Sequence, residues 1–302
     1  MGPGPQEAVM GSTIFSVLLP LALAIIMFGL GLTLTVQDFV RVAKVPKAAI
    51  IALACQVLVL PAICLGLVLL FGLSPVLAVG MMLLAASPGG STANLFSHVA
   101  GGDVALNISL TAINSVLAIV TLPIVVGLST AWFLGDGESI GFQPAKFVQV
   151  FAIVLVPVAI GMWIRSRYTG WAERMRQPVK IASIVVLVLV IGAALVQEWQ
   201  TLVDNIATLG TVSLLLSVCS LTIGYYVPRL FGVDRRQSIA SAMEIGIHNA
   251  TLAIAVAISV LGSETLAVPP AIYGIVMFFP AAVAAYLMSR RTAPEVAPAA
   301  AA

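Results

Sequence analysis

Long apolar stretches, separated by short polar or glycine- and proline-rich loops, make up almost the whole chain. A helix rises 1.5 Å per residue, so about 20 apolar residues are needed to cross the hydrocarbon core of a bilayer. Nine stretches meet that requirement: 13–34, 47–72, 75–100, 103–133, 146–166, 179–197, 207–230, 236–262 and 266–289. None shows the alternating polarity of a transmembrane β-strand. The pattern predicts an all-α polytopic membrane protein with nine transmembrane helices.

Composition supports this class. Only 9% of the 302 residues are charged and 61% are hydrophobic, whereas a soluble domain carries roughly 25% charged residues. This excludes a soluble enzyme, a disordered chain and a nucleic-acid binder. The sequence contains no His-Glu-x-x-His, Gly-x-Ser-x-Gly or P-loop motif, so we expect neither enzymatic activity nor a cofactor. The cysteines lie inside apolar runs without metal-ligand spacing, and we expect no transition metal: Cys55, Cys64 and Cys219.

The distribution of cations predicts the orientation. Every Lys and Arg except Lys146 lies at the end of segment one, five, seven or nine, in the loop after it or at the start of the next segment, and cytoplasmic loops collect such residues. We therefore expect a multi-pass protein of the inner or plasma membrane, with its N-terminus outside and its C-terminus in the cytoplasm. Residues 1–12 would form an extracytoplasmic tail, and residues 292–302 a disordered cytoplasmic tail.

Two apolar segments carry polar breaks in their middle. Residues 87–94 (SPGGSTAN) interrupt the third segment, and residues 244–249 (EIGIHN) interrupt the eighth. Each interrupted segment is followed by one further span, so the chain divides into repeats at 13–133 (four helices) and 146–289 (five helices). Because the offset is five spans, corresponding helices run in opposite directions. This predicts an inverted repeat with two discontinuous crossing helices, an arrangement found in many secondary transporters.

Glu244 is the only charged residue well inside an apolar segment. With no intramembrane Lys or Arg to pair with, it requires a bound cation or a proton. His248, one helical turn later, is either a neutral hydrogen-bonded side chain, a cation ligand or a proton relay. Uncharged polar side chains in neighbouring segments are either contacts between helices or oxygen ligands for a hard monovalent cation: Gln56, Asn94, Asn107 and Thr111.

These motifs resemble those of the bile acid:sodium symporter family. The resemblance rests on Pro88-Gly89-Gly90 with Asn94, on Val-Ala-Leu at 104–106, on Glu244-x-Gly-x-x-Asn249 and on IMFGLGLTL at 26–34. It implies a core domain (47–133 and 207–289) that moves against a panel domain (13–34 and 146–197). Bacterial relatives commonly have ten helices, and this chain is expected to lack the first.

The resemblance also implies ligands. A first sodium site would use Asn94, Thr111, Glu244 and the position of Asn107. A second would use Gln56, Glu244, the backbone carbonyls of Ile245 and Ile247, and the side chain of His248. Substrate would bind near Ser91, Thr92 and Asn249. The chain departs from the family pattern at Ala93, often a serine, and at His248, often a glutamine. A histidine nitrogen suits sodium less well than an amide oxygen.

The resulting hypothesis is a sodium-coupled symporter of an organic anion that works by alternating access. We expect it to function as a monomer in the lipid bilayer and to have no nucleic-acid partner. Bile-acid-like, pantothenate-like and keto acids all remain candidate substrates. One alternative is a proton-coupled or sodium-independent organic anion transporter that uses Glu244 and His248. A membrane-embedded enzyme or sensor is the remote alternative, because its motifs are missing.

Overall fold

The computed structural model describes residues 21–42 except 22, 23, 26 and 30, together with residues 45–135 and 144–290. Within these ranges all regular secondary structure is helical, which confirms the all-α class. The two predicted tails, 1–12 and 292–302, lie outside the described residues, as does the beginning of the first segment.

The first part of the chain consists of short and long helices. The described residues between 21 and 31 are helical, apart from the gaps. The helices that follow are α1 (Val36–Val42), α2 (Pro46–Ala54), α3 (Leu60–Leu70), α4 (Pro75–Ala86), α5 (Ser91–Val99) and α6 (Val104–Leu134). A π-helix, Cys55–Val59, joins α2 to α3 without a loop.

The second part repeats this alternation of long helices and half-length helices. Its elements are α7 (Pro144–Arg167), α8 (Thr169–Gln197), α9 (Trp199–Leu230), α10 (Arg235–Gly246), α11 (Ala250–Ser259), a 3-10 helix (Thr265–Ala267), α12 (Val268–Val276) and α13 (Phe278–Ser289). Helices α8 and α9 begin well before the apolar segments predicted at 179–197 and 207–230. Helical hydrogen bonds do not require apolar side chains, so the apolar pattern indicates the hydrocarbon-facing part and not the helix end.

Length and composition identify membrane spans among the described helices. Three stretches are long and apolar enough to cross a bilayer: Pro46–Leu70, Trp199–Leu230 and Thr265–Ser289. Helix α6 gives a fourth if its two parts, which meet at 52°, form one span. Pro123 lies inside this helix and removes one backbone hydrogen bond, which favours the bend. The chain is therefore a multi-pass membrane protein.

Both interrupted helices are observed, and the first interruption is shorter than predicted. Helical structure stops at Ala86 and resumes at Ser91, so residues 91–94 of the predicted break already belong to α5. The second helix ends at Gly246 and resumes at Ala250, which leaves Glu244 in the last turn of α10. Proline and paired glycines account for the first break, because Pro88 cannot donate a backbone hydrogen bond.

The two breaks contact each other. The Gly90 amide donates to the Ile247 carbonyl and the Asn249 amide donates to the Pro88 carbonyl, each at 2.8 Å. Gly89 and His248 form the antiparallel bridge between them. These bonds satisfy backbone groups that would otherwise be unpaired in the apolar interior. The crossing therefore brings together the ends of α4 and α10 and the beginnings of α5 and α11.

Candidate ion and substrate site

Glu244 lies at the centre of the crossing and is fully buried. The Thr111 hydroxyl lies 2.6 Å from its Oε2, and the Asn114 Nδ2 donates to its Oε1 at 3.0 Å. The carboxyl group also lies against the backbone of Gly89, where an added Cβ would collide with it. A larger residue at 89 would therefore displace the carboxyl group from its present position against the first break.

One face of α6 supplies the polar side chains around this carboxyl group. Asn107, Thr111 and Asn114 are spaced four and three residues apart and are all buried. The Asn107 Nδ2 donates to the Ala240 carbonyl at 2.7 Å, which ties α6 to α10. Sequence reasoning singled out Asn107 and Thr111 but missed Asn114. Asn114 could have been found from the same helical spacing, because it lies three residues after Thr111.

Amide side chains at the site have their nitrogens engaged and their oxygens unpaired. The Asn107 and Asn114 nitrogens donate to Ala240 and Glu244, while the oxygens of both side chains lack a hydrogen-bond partner among the described residues. The Asn94 Oδ1 is likewise buried and unpaired within that part of the chain. Buried polar atoms are normally paired, so such a set of acceptor oxygens fits a cation.

Gln56 shows the same arrangement on another helix. Its Nε2 donates to the Ser87 carbonyl at 3.1 Å, and its Oε1 has no partner within the described ranges. Gln56 lies in the π-helix Cys55–Val59, and such insertions into an α-helix are frequent at functional sites. The structure therefore brings Gln56 to the first break, where its nitrogen contacts the backbone.

His248 contacts Tyr273 and not Glu244 in the described hydrogen bonds. Its Nδ1 lies 3.0 Å from the Tyr273 hydroxyl, which is also 3.3 Å from the Gly246 carbonyl. Both side chains are buried, and their rings pack edge to face. Only Nε2 of His248 remains for a cation or a proton. Tyr273 was not identified from the sequence, because nothing in an apolar helix indicates which break it contacts.

The structure also describes the predicted backbone ligands, Ile245 and Ile247, and the position of Ala93, where the family pattern often has a serine. The Ile247 carbonyl already accepts one hydrogen bond from Gly90, so one lone pair is left. Ile245 is buried in the last turn of α10, next to Glu244. Ala93 is fully buried in α5 and brings no oxygen where the family pattern often has a serine side chain.

The predicted substrate residues lie where two half-length helices begin. Ser91 and Thr92 open α5, and Thr92 is exposed. The placement of the Ser91 side chain lies outside what the structure describes. Asn249 caps α11, because its Oδ1 accepts from the Leu252 amide at 3.0 Å. An anionic ligand requires donors, and the Asn249 side chain can offer it the amide nitrogen.

A membrane protein with two broken helices, a buried carboxyl group and unpaired oxygens at their crossing has the architecture of secondary transporters. Comparison with known proteins agrees. The chain belongs to the Sodium Bile acid symporter family, which it matches over residues 20–205. This confirms the resemblance found in the sequence motifs.

Relatives were found in bacteria, animals and plants. The chain is 27% identical over 253 residues to the uncharacterized sodium-dependent transporter YocS of Bacillus subtilis, covering 84% of this chain and 77% of that protein. It is 26% identical over 246 residues to the ileal sodium/bile acid cotransporter of Cricetulus griseus, covering 80% and 69%. It is 25% identical over 276 residues to a probable chloroplastic sodium/metabolite cotransporter, BASS1, of Arabidopsis thaliana, covering 90% and 67%. These relatives are named as transporters and not as enzymes, the class that the sequence predicted.

Proposed function

We propose that the protein is a sodium-coupled symporter of an organic anion. The observation that carries this proposal is the buried Glu244 carboxyl group, which has hydrogen-bond donors but no cationic partner among the described residues. A carboxylate in an apolar interior is costly unless its charge is compensated. Sodium is the compensating ion that the unpaired amide oxygens and the family membership favour.

The first sodium ion would bind between α5, α6 and α10. Its ligands would be Asn94, Asn107, Thr111 and Glu244, which supply amide, hydroxyl and carboxylate oxygens. Hard cations prefer such oxygen ligands. The Asn94 and Asn107 oxygens are buried and unpaired within the described chain, which supports this assignment. A second ion would involve Gln56, Glu244 and the carbonyls of Ile245 and Ile247.

The anion would bind beside the crossing. Helices α5 and α11 begin there, and the N-terminal end of a helix attracts negative charge. The amide nitrogen of Asn249 and the first turn of α5, with Ser91 and Thr92, would donate hydrogen bonds to it. Sodium would have to bind first, because an ionised Glu244 repels an anion. Bile-acid-like, pantothenate-like and keto acids are the substrate classes to test.

Alternating access would come from the core domain moving against the panel domain. Two observations support the panel grouping of 13–34 with 146–197. The Arg165 guanidinium donates to the Leu32 carbonyl at 2.7 Å, and Gly31 and Gly161 are in close backbone contact. The reciprocal hydrogen bonds between the two breaks are those expected of an inverted repeat. We also propose that the chain crosses the membrane nine times, has its N-terminus outside and functions as a monomer.

The test is binding of radioactive sodium to the purified chain at constant pH and ionic strength. Wild-type protein should bind sodium saturably, and Glu244→Gln should bind none, because the amide keeps the shape of the side chain but removes its charge. Glu173→Gln makes the same change at an exposed position on α8 and should bind as wild type does. If the wild-type protein binds no sodium, the sodium coupling proposed here is wrong.

Proton coupling is the second candidate, and the Glu244 contacts also favour it. A protonated Oε2 would donate to the Thr111 hydroxyl, which would then donate to the backbone carbonyl of Asn107, 3.0 Å away. Transport driven by a pH gradient, unaffected by replacing sodium with potassium, would establish this candidate. His248, with its free Nε2, would then be tested by His248→Ala.

A further inference from the structure

We propose that Asn114 is a ligand of the second cation site, in the role that the family resemblance assigns to the side chain at 248. The proposal rests on the sodium coupling proposed above. It concerns a sodium ion held between the Oδ1 of Asn114 and the Oε1 of Gln56, in a small cavity that both side chains line.

The cavity supplies the first argument. Gln56 and Asn114 both line it, together with Ala86, Pro88 and Thr121. It has room for about one water-sized particle, which is too little for an organic substrate but sufficient for a monatomic ion. Most of its remaining wall is apolar, so the two amide groups are the main polar features that an occupant would meet.

The orientation of both amides supplies the second argument. The Asn114 nitrogen is held by the Glu244 Oε1, and the Gln56 nitrogen is held by the Ser87 carbonyl. An amide oxygen next to a carboxylate oxygen would be repelled, so this orientation of Asn114 is the stable one when Glu244 is ionised. Both amide oxygens are buried and lack partners among the described residues. They offer acceptors only, as a cation requires.

His248 is a weaker ligand for this ion. Its Nδ1 is engaged with Tyr273, and its remaining atom is a nitrogen. Asn114 instead donates from its Nδ2 to the Glu244 carboxyl group and also lines the cavity. An ionised Glu244 would polarise this amide and make its oxygen a better cation ligand. Asn114 follows Thr111 by three residues on α6, and both side chains contact the Glu244 carboxyl group, while Asn114 also lines the cavity with Gln56.

A mutant cycle measured with radioactive sodium tests the proposal. Wild-type chain should bind two ions, and Asn114→Leu and Gln56→Leu should each bind one. The double variant should also bind one, because both side chains serve the same ion. In Asn114→Ser, a milder variant in case the leucine prevents folding, the sodium concentration that half-fills the second site should rise about tenfold or more. Ser115→Ala, at the next position of α6, should bind two ions.

Failure of this inference is distinguishable from failure of the proposed function. If wild type binds two ions and both Asn114 variants still bind two at unchanged concentrations, Asn114 is not a ligand. If wild type binds one ion and Asn114→Leu does not change that number, the cavity holds water. Either result overturns the inference and leaves sodium coupling through Glu244 intact. Absence of sodium binding in wild type overturns both.

Discussion

The Thr111 hydroxyl has two acceptors within reach but only one hydrogen to donate. It lies 2.6 Å from Glu244 Oε2 and 3.0 Å from the Asn107 carbonyl. With Glu244 ionised, the hydroxyl donates to the carboxylate. With Glu244 protonated, the hydroxyl accepts from the acid and donates to the backbone carbonyl of Asn107, while Asn114 keeps its bond to Oε1. The same contacts can therefore stabilise Glu244 in its ionised or its protonated form. We expect a proton to compete with sodium for this carboxyl group.

We predict that the sodium concentration needed for half-saturation rises as the pH falls. Protonation removes the charge that holds the ion, so the increase should approach about tenfold per pH unit once the carboxyl group is mostly protonated. Sodium binding over a pH series, at constant ionic strength, measures this. Glu173→Gln should follow the wild-type curve. Half-saturation that does not change with pH would contradict the competition.

At the scale of elements, close contact between α9 and α10 positions Glu244. An added Cβ at Gly224 of α9 would lie 2.7 Å from the Ala242 Cα and 3.1 Å from the Ser241 carbonyl oxygen. Both are backbone atoms, which cannot move aside as a flexible side chain does. Glycine at 224 therefore permits the approach of the helix that carries the carboxyl group.

Gly224→Ala should destabilise the protein by about 1–3 kcal/mol, the usual effect of overpacking. Gly210→Ala is a matched control on the same helix, where the added Cβ would meet nothing within 4 Å. This control should be neutral or more stable by up to about 1 kcal/mol, since alanine favours helix more than glycine does. Thermal unfolding of both variants in one detergent measures the difference. Equal effects would show that the two helices are less closely packed than described.

At the scale of the whole molecule, two distant acidic residues meet on the face predicted to be extracytoplasmic. Glu198 precedes α9 and accepts a hydrogen bond from the Thr265 hydroxyl at 3.0 Å, while Glu264 is the residue before Thr265. Partial burial, and then the charge of Glu198, raise the pKa of Glu264 above its ordinary value. The folded state thus binds a proton at Glu264 more readily than the unfolded state does.

Stability should therefore fall as the pH rises from the ordinary pKa of a glutamate through the raised pKa of Glu264. Glu264→Gln removes this loss, so the variant should be more stable than wild type at neutral pH and less sensitive to pH in that range. Thermal unfolding across the pH range measures both effects. Glu173→Gln, which alters an exposed carboxylate, is the control and should keep the wild-type dependence. An unchanged pH profile in Glu264→Gln would refute the argument.

Much of the fold could be predicted from local features of the sequence. Apolar length predicts helices in a bilayer, because every backbone group there must be paired within its own helix. Pro88 and the paired glycines after it predict the first break for the same local reason, although helix resumes at Ser91 and not after Asn94. Helix ends in polar sequence, such as the start of α9 at Trp199, were missed because polar residues continue a helix equally well.

The sequence by itself determined the class of protein and the two polar breaks, and it predicted a role for Glu244, since an unpaired charge in an apolar segment needs compensation wherever it lies. Only the tertiary structure decided which atoms surround that charge. Asn114, Tyr273 and the π-helix at Gln56 reach the crossing through contacts between residues far apart in the chain. Such contacts depend on how helices pack. The periodicity of a single helix indicates which face is buried but not which helix packs against that face.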